Sequence, residues 1–139
     1  MSQDADHAAA TGEGDRVGEF TAYRKRMNER ILAEPNQVVR RFFALDTQTY
    51  QPGALDHKTK ELLGLVASMV LRCDDCISYH VAQCKDVGVN REEMFEAFSV
   101  GLVVGGSIVI PHMRRAVAFL DELEDAGGAE SAREPHQHD

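Results

Sequence analysis

Cys73, Cys76 and His80 have the types and spacing for thiol redox chemistry, within the run Arg72-Cys73-Asp74-Asp75-Cys76-Ile77-Ser78-Tyr79-His80. Two cysteines three positions apart on a helical turn have Cα atoms about 5–6 Å apart, a span that a disulfide tolerates. The positive end of a helix dipole favours thiolate over thiol, so a cysteine in the first turn of a helix is more reactive than a free one. His80 stands four residues after Cys76, one turn along the same face, where it can share a proton with the Cys76 thiol. Asp74 and Asp75 oppose thiolate formation by like charge, and their other reading is as caps of the helix start.

Two other readings of this segment stay open on residue types alone. One is a pair of buried structural cysteines. The other is a zinc site. Cys76, His80 and Cys84 fall at i, i+4 and i+8 on one stripe with Cys73 nearby. Structural zinc draws its ligands from two separated pairs, however, and only His57 and His112 are present to complete a set. Cys84 reads as a small core residue. His112, next to Pro111, reads either as a helix-terminal or subunit-contact histidine or as a residue facing the cysteine pair across a pocket. Terminal His136-Gln137-His138 reads as solvated tail.

The elements that must position these residues read as helices throughout. Phe20, Tyr23, Met27, Ile31 and Leu32 form a helical stripe over Glu19–Ala33, and Pro35 introduces a second helix over about Asn36–Thr49. Pro52-Gly53 is a turn, and Asp56 caps a third helix that runs to about Leu71. A fourth starts near Asp74 and ends at Gly88, a C′ glycine. Asn90 with Glu93 fits a capping box for a fifth helix to about Val104, which Gly105-Gly106 breaks or bends. Pro111 suits the first turn of a sixth helix, starting near Val109 or Ile110 and ending near Asp125. The expected fold is all-α: one bundle of about six helices over residues 18–126, with disordered tails at 1–17 and 127–139.

Glu61, twelve residues before Cys73, reads first as an exposed helix carboxylate. If the third and fourth helices form an antiparallel hairpin, Glu61 lies roughly 18 Å and His80 roughly 10 Å from the turn. The gap of about 8 Å is one that the two side chains can span, which permits a relay Glu61–His80–Cys76.

Bulk properties narrow the function classes. A chain of 139 residues with 43% hydrophobic content suits one core, and with 6% aromatics that core is mostly aliphatic. A net charge of −8 with scattered Lys and Arg speaks against nucleic-acid binding. The longest apolar runs, Leu62–Leu71 and Val100–Pro111, are shorter than a membrane span, and the first fifteen residues lack a signal-peptide core. Three cysteines, an odd number, do not suit a secreted disulfide scaffold, so a cytoplasmic protein is expected. The apolar stretches exceed what one small helical layer hides, and a homo-oligomer is expected.

Glu61, eleven intervening residues, Cys73-x-x-Cys76, three more and His80 together resemble the signature of the alkylhydroperoxidase D-like branch of the carboxymuconolactone decarboxylase superfamily. Leu55-Asp56-x-Lys58-x-Lys60-Glu61-Leu62, Gly105-Gly106-Ser107 and Pro111-His112 share the likeness, which covers about Pro35–Leu123. The resemblance implies an all-helical homotrimer or hexamer that reduces hydroperoxides. It makes Cys76 the attacked thiol that becomes a sulfenic acid, Cys73 the resolving thiol, and Glu61 with His80 the proton relay. It implies no bound cofactor and an external reductant, dihydrolipoamide or a lipoyl-carrying or other dithiol protein. The peroxidase pattern has a His just before the second cysteine, where this chain has Asp75. The decarboxylase branch acts on a lactone without a cysteine pair, and the pair here weighs against that activity. A decarboxylase-type lyase and a non-enzymatic helical module with a metal-holding Cys/His cluster are the alternatives.

Overall fold

The computed structural model describes residues 15–133, and among them it contains six α-helices, one short 3-10 turn and no strand. The helices are α1 (Arg16–Leu32), α2 (Gln37–Thr49), α3 (His57–Leu71), α4 (Asp74–Asp86), α5 (Arg91–Gly105) and α6 (Ile110–Arg133), with the 3-10 turn at Ser107–Val109.

The helix boundaries follow from local chemistry. Asn36 Oδ1 accepts from the Val39 N–H at the start of α2, and Asp56 Oδ1 accepts from the Thr59 N–H at the start of α3. Asn90 and Glu93 close the expected capping box on α5. α4 ends at Asp86, and Gly88 supplies the positive φ of 87° two residues on. α5 ends at Gly105, and Gly106, at φ 82°, turns the chain into the 3-10 segment.

The helical domain expected over 18–126 is longer at both ends. It begins at Arg16, and its last helix runs to Arg133 rather than stopping near Asp125. Gly127 and Gly128 do not stop it, since a helical glycine costs only about 1 kcal/mol and each added residue gains a hydrogen bond. The remaining tail residues, 1–14 and 134–139, lie outside the described residues.

α3 and α4 form the central hairpin. α3 also packs on α5, α4 on α6, and α1 on α6. Leu65, Met69, Ile77, Val81, Cys84, Met94, Phe98 and Leu120 fill the shared core. Gly101 lets Met69 approach α5 closely, because a Cβ there would sit 3.2 Å from the Met69 side chain. α2 buries none of its residues, and Val38 and Phe42 are 76% and 68% exposed. It is tied down at its C-terminal end, where Lys60 Nζ donates to the carbonyls of Thr49 (2.9 Å) and Gln51 (2.7 Å). That tie holds Tyr50 against α4.

Candidate redox site

The α3–α4 turn is built to present the two cysteines. α3 closes with Arg72 in the left-handed region at φ 60°; its N–H donates to the Met69 carbonyl, and the Cys73 N–H donates to that of Ser68. Cys73 then serves as N-cap of α4, its sulfur accepting from the Cys76 N–H at 3.3 Å. The cap is therefore a cysteine, not Asp74 or Asp75. Cys73 and Cys76 are joined as a disulfide, with Cα atoms 5.2 Å apart. Cys76 is exposed and Cys73 half-buried.

Asp74, between the two cysteines, is held from α6. His112 Nδ1 lies 2.7 Å from its Oδ1, and Arg115 donates to its Oδ2 at 3.3 Å. One of the two carboxylates that oppose a thiolate is thus countered by a guanidinium. His112 sits in the first turn of α6, the helix-terminal place expected of it; it reaches the cysteine turn only through Asp74 and does not line the cleft. Arg115 forms its ion pair within the chain.

Behind the cysteines, Glu61 is 1% exposed and His80 is 7% exposed. His80 Nδ1 and Glu61 Oε2 are 2.8 Å apart. An ionised carboxylate only accepts, so the imidazole donates from Nδ1, and in the neutral ring Nε2 then carries the lone pair. The Tyr50 hydroxyl lies 3.4 Å from that Nε2, a long contact in which it is the donor. Burial and the field of Glu61 raise the Tyr50 phenol above its usual range, which keeps it protonated. On the other side of Glu61, His57 Nε2 lies 3.1 Å from Oε1.

The separation of about 8 Å expected along the hairpin closes because of Gly64. A Cβ at Gly64 would stand 2.6 Å from His80 Cε1 and 2.8 Å from Nε2. The imidazole occupies that missing side chain's place, one turn short of Glu61, and the long Glu61 side chain covers the rest.

Cys76 and His80 open onto one cleft of about 700 Å³ between α1, α4 and α6. Phe20, Tyr23, Met27 and Phe119 supply its apolar surface. Arg24 of α1 lies over the Tyr79 ring at 4.0 Å, and Tyr79 in turn meets His80 edge-on at 5.1 Å. Asp75 is exposed and lines the same cleft.

Cys84 is fully buried, and burial pushes its thiol up to about 12, so it is an inert core residue. The stripe Cys76–His80–Cys84 does not converge on one point, and no cluster of three or more His, Cys, Asp or Glu side chains suited to a metal exists among the described residues.

Of the residues singled out from sequence, Cys73 and Cys76 are joined at the α3–α4 turn, His80 and Glu61 pair deeper along the hairpin, and Cys76 and His80 line one cleft. On sequence His57 reads only as a spare metal ligand, and Tyr50 and Gly64 have no functional reading. His57 stands four residues before Glu61, the helical spacing that could have found it. Tyr50 and Gly64 carry no comparable signal.

The fold is a small all-α bundle whose central hairpin carries a Cys-x-x-Cys turn and a buried Glu–His pair. Residues 36–121 match the model of the carboxymuconolactone decarboxylase family, and the chain belongs to that family. Among solved structures it is similar to TM1620 of Thermotoga maritima, at 55% identity and TM-score 0.77 over 80% of this chain and 97% of that one. TM1620 is described as a family member with a suggested part in an antioxidative response. The family protein lpg0406 of Legionella pneumophila aligns at 25% identity with TM-score 0.67, covering 80% and 96% of the two chains. An uncharacterised protein of the cox locus of Paracoccus denitrificans is 33% identical over 85 residues, 61% of this chain and 77% of that one.

Proposed function

We propose that this protein is a thiol-dependent oxidoreductase that reduces organic hydroperoxides through a Cys73/Cys76 dithiol–disulfide cycle. The observation that carries the reading is the buried Glu61–His80 pair behind the same cleft into which Cys76 opens. The suggested antioxidative part of TM1620 supports it.

In the reduced protein the Cys76 thiol competes with Tyr50 for the lone pair on His80 Nε2. His80 takes the thiol proton, and Glu61 stabilises the imidazolium from Nδ1. The thiolate attacks the peroxide. An S–O bond forms, the O–O bond breaks, and the departing alkoxide takes a proton from His80 to leave as an alcohol. Cys73 then attacks the Cys76 sulfenic acid, giving the disulfide and water. An external dithiol, such as dihydrolipoamide or a lipoyl-carrying protein, restores both thiols by exchange. Such a cycle suits the reducing cytoplasm. No helix among the described residues is long and apolar enough to cross a membrane.

The exposed apolar side chains belong, on this reading, to subunit contacts of a homotrimer or hexamer. Val103 and Val104 of α5 are 84% and 67% exposed, and α2 has no buried residue at all.

The test is turnover of cumene hydroperoxide with dihydrolipoamide as reductant. Wild-type protein should consume peroxide catalytically, Cys76→Ser should not, and Cys73→Ser given peroxide before any dithiol should hold Cys76 as a sulfenic acid that dimedone traps. Full activity in Cys76→Ser would remove the proposal.

A further inference from the structure

His57 lies outside the relay that the family spacing implies, yet it is half of what holds Glu61. Glu61 is 1% exposed, and an anionic carboxyl in such a place needs partners for both oxygens. Oε2 has His80 at 2.8 Å, and Oε1 has His57 at 3.1 Å. The His57 side chain is itself 38% exposed, so its imidazole joins a buried carboxylate to solvent. Its place is fixed by the backbone: it is the first residue of α3, set by the Asp56 cap, four residues ahead of Glu61.

We infer that His57 is a positioning residue for the Glu61–His80 pair: its Nε2–H fixes the plane of the Glu61 carboxylate so that Oε2 faces His80 Nδ1. This deepens the proposed thiol chemistry and rests on it for its kinetic consequence, though not for the geometry itself. The donors and acceptors form one ordered series. Tyr50 donates to His80 Nε2, His80 Nδ1 donates to Glu61 Oε2, and His57 Nε2 donates to Glu61 Oε1. Without His57 the buried Oε1 loses its partner, and the carboxyl either turns toward solvent or takes up a proton. Both outcomes weaken its hold on the His80 imidazolium.

The charged and titratable groups facing this carboxylate are few. His57 faces it from its own helix, His80, Tyr79 and Cys84 from α4, and Tyr50 from the segment after α2. Lys58 is engaged by Glu93 of α5 at 2.8 Å, and Asp56 faces His57 from the helix cap.

The test compares His57→Leu, which removes the donor, with His57→Gln, which places an amide N–H near the position of Nε2. Two readouts are taken on the full chain: the rate of Cys76 oxidation by cumene hydroperoxide, and the proton resonance of the His80 Nδ1–H bonded to Glu61. We expect His57→Leu to oxidise about tenfold or more slowly and to lose or broaden that resonance, with His57→Gln close to wild type in both. An unchanged resonance in His57→Leu would overturn the positioning role, as would a His57→Gln variant as impaired as His57→Leu. The resonance decides the matter even if wild-type protein proves inert to peroxide, so failure of the peroxidase reading is distinguishable from failure of this one.

Discussion

At the residue scale, the chemistry turns on a carboxylate that the fold keeps from water. Glu61→Gln keeps the shape but removes the charge that holds the His80 imidazolium. It should slow single-turnover oxidation of Cys76 by about 10²-fold while leaving the helical fold intact, as stopped-flow thiol kinetics alongside circular dichroism would record. An unchanged rate would take Glu61 out of the mechanism. Cys84 makes a separate prediction about pH. Burial and the field of Glu61 push its thiol from 9.0 up to about 12. The folded chain therefore keeps this proton where the unfolded chain releases it. Stability is fully present below the unfolded value and falls as pH rises toward the folded one, by up to about 1.4 kcal/mol per pH unit. Urea unfolding of the oxidised protein should show this loss only as pH rises past the unfolded value of 9.0, and Cys84→Ala should show a shallower loss over the same range. Cys73, Cys76 and His80 were legible from spacing alone. Glu61 was reached only through family resemblance, because its partner comes from another helix. Gly64 was invisible because its contribution is an absence: a Cβ that would occupy the place of the His80 ring.

At the scale of elements, the helix starts were the most legible part of the fold. Asn36, Asp56 and Asn90 each accept the backbone hydrogen bond that their residue type suggests. The start of α4 departs from that pattern, since a cysteine sulfur does the capping and Asp74 is turned toward His112 and Arg115. Residue type could not foresee this, as the partners come from α6. The axial estimate along the hairpin allowed the Glu61–His80 contact but not the part Gly64 plays in it, because rise per residue says nothing of how deeply a ring sinks between helices. Gly64→Ala tests that packing. Its Cβ would stand 2.6 Å from the His80 ring and 2.8 Å from the Tyr50 hydroxyl. The substitution gains about 1 kcal/mol of helix propensity, but overpacking of the site costs about 1–3 kcal/mol. The variant should be less stable to urea or equal to wild type, with Cys76 oxidation slowed about tenfold or more, since His80 must shift. A more stable variant with full activity would show that the close approach is not needed.

At the scale of the whole molecule, the apolar excess seen in the sequence has a location. It sits on α2 and on the outer face of α5, where Val38, Phe42, Val103 and Val104 are exposed. Composition gave the amount of uncovered surface but not its position, because that depends on which faces α3, α4 and α6 have already taken. If these faces join copies of the chain, Phe42→Glu should lower the mass seen by light scattering at micromolar concentration, and wild-type protein should not run as a monomer. A monomeric wild type would refute the assembly while leaving the site untouched, since every side chain in the Glu61–His80 network comes from one chain.

The central claim, that Cys76 and Cys73 are the working thiols, is tested most directly by mass spectrometry of the reduced protein after one equivalent of organic hydroperoxide. The mechanism predicts a Cys73–Cys76 disulfide formed in proportion to peroxide, with Cys84 still a free thiol. A protein in which Cys84 is oxidised while Cys73 and Cys76 remain reduced would contradict it.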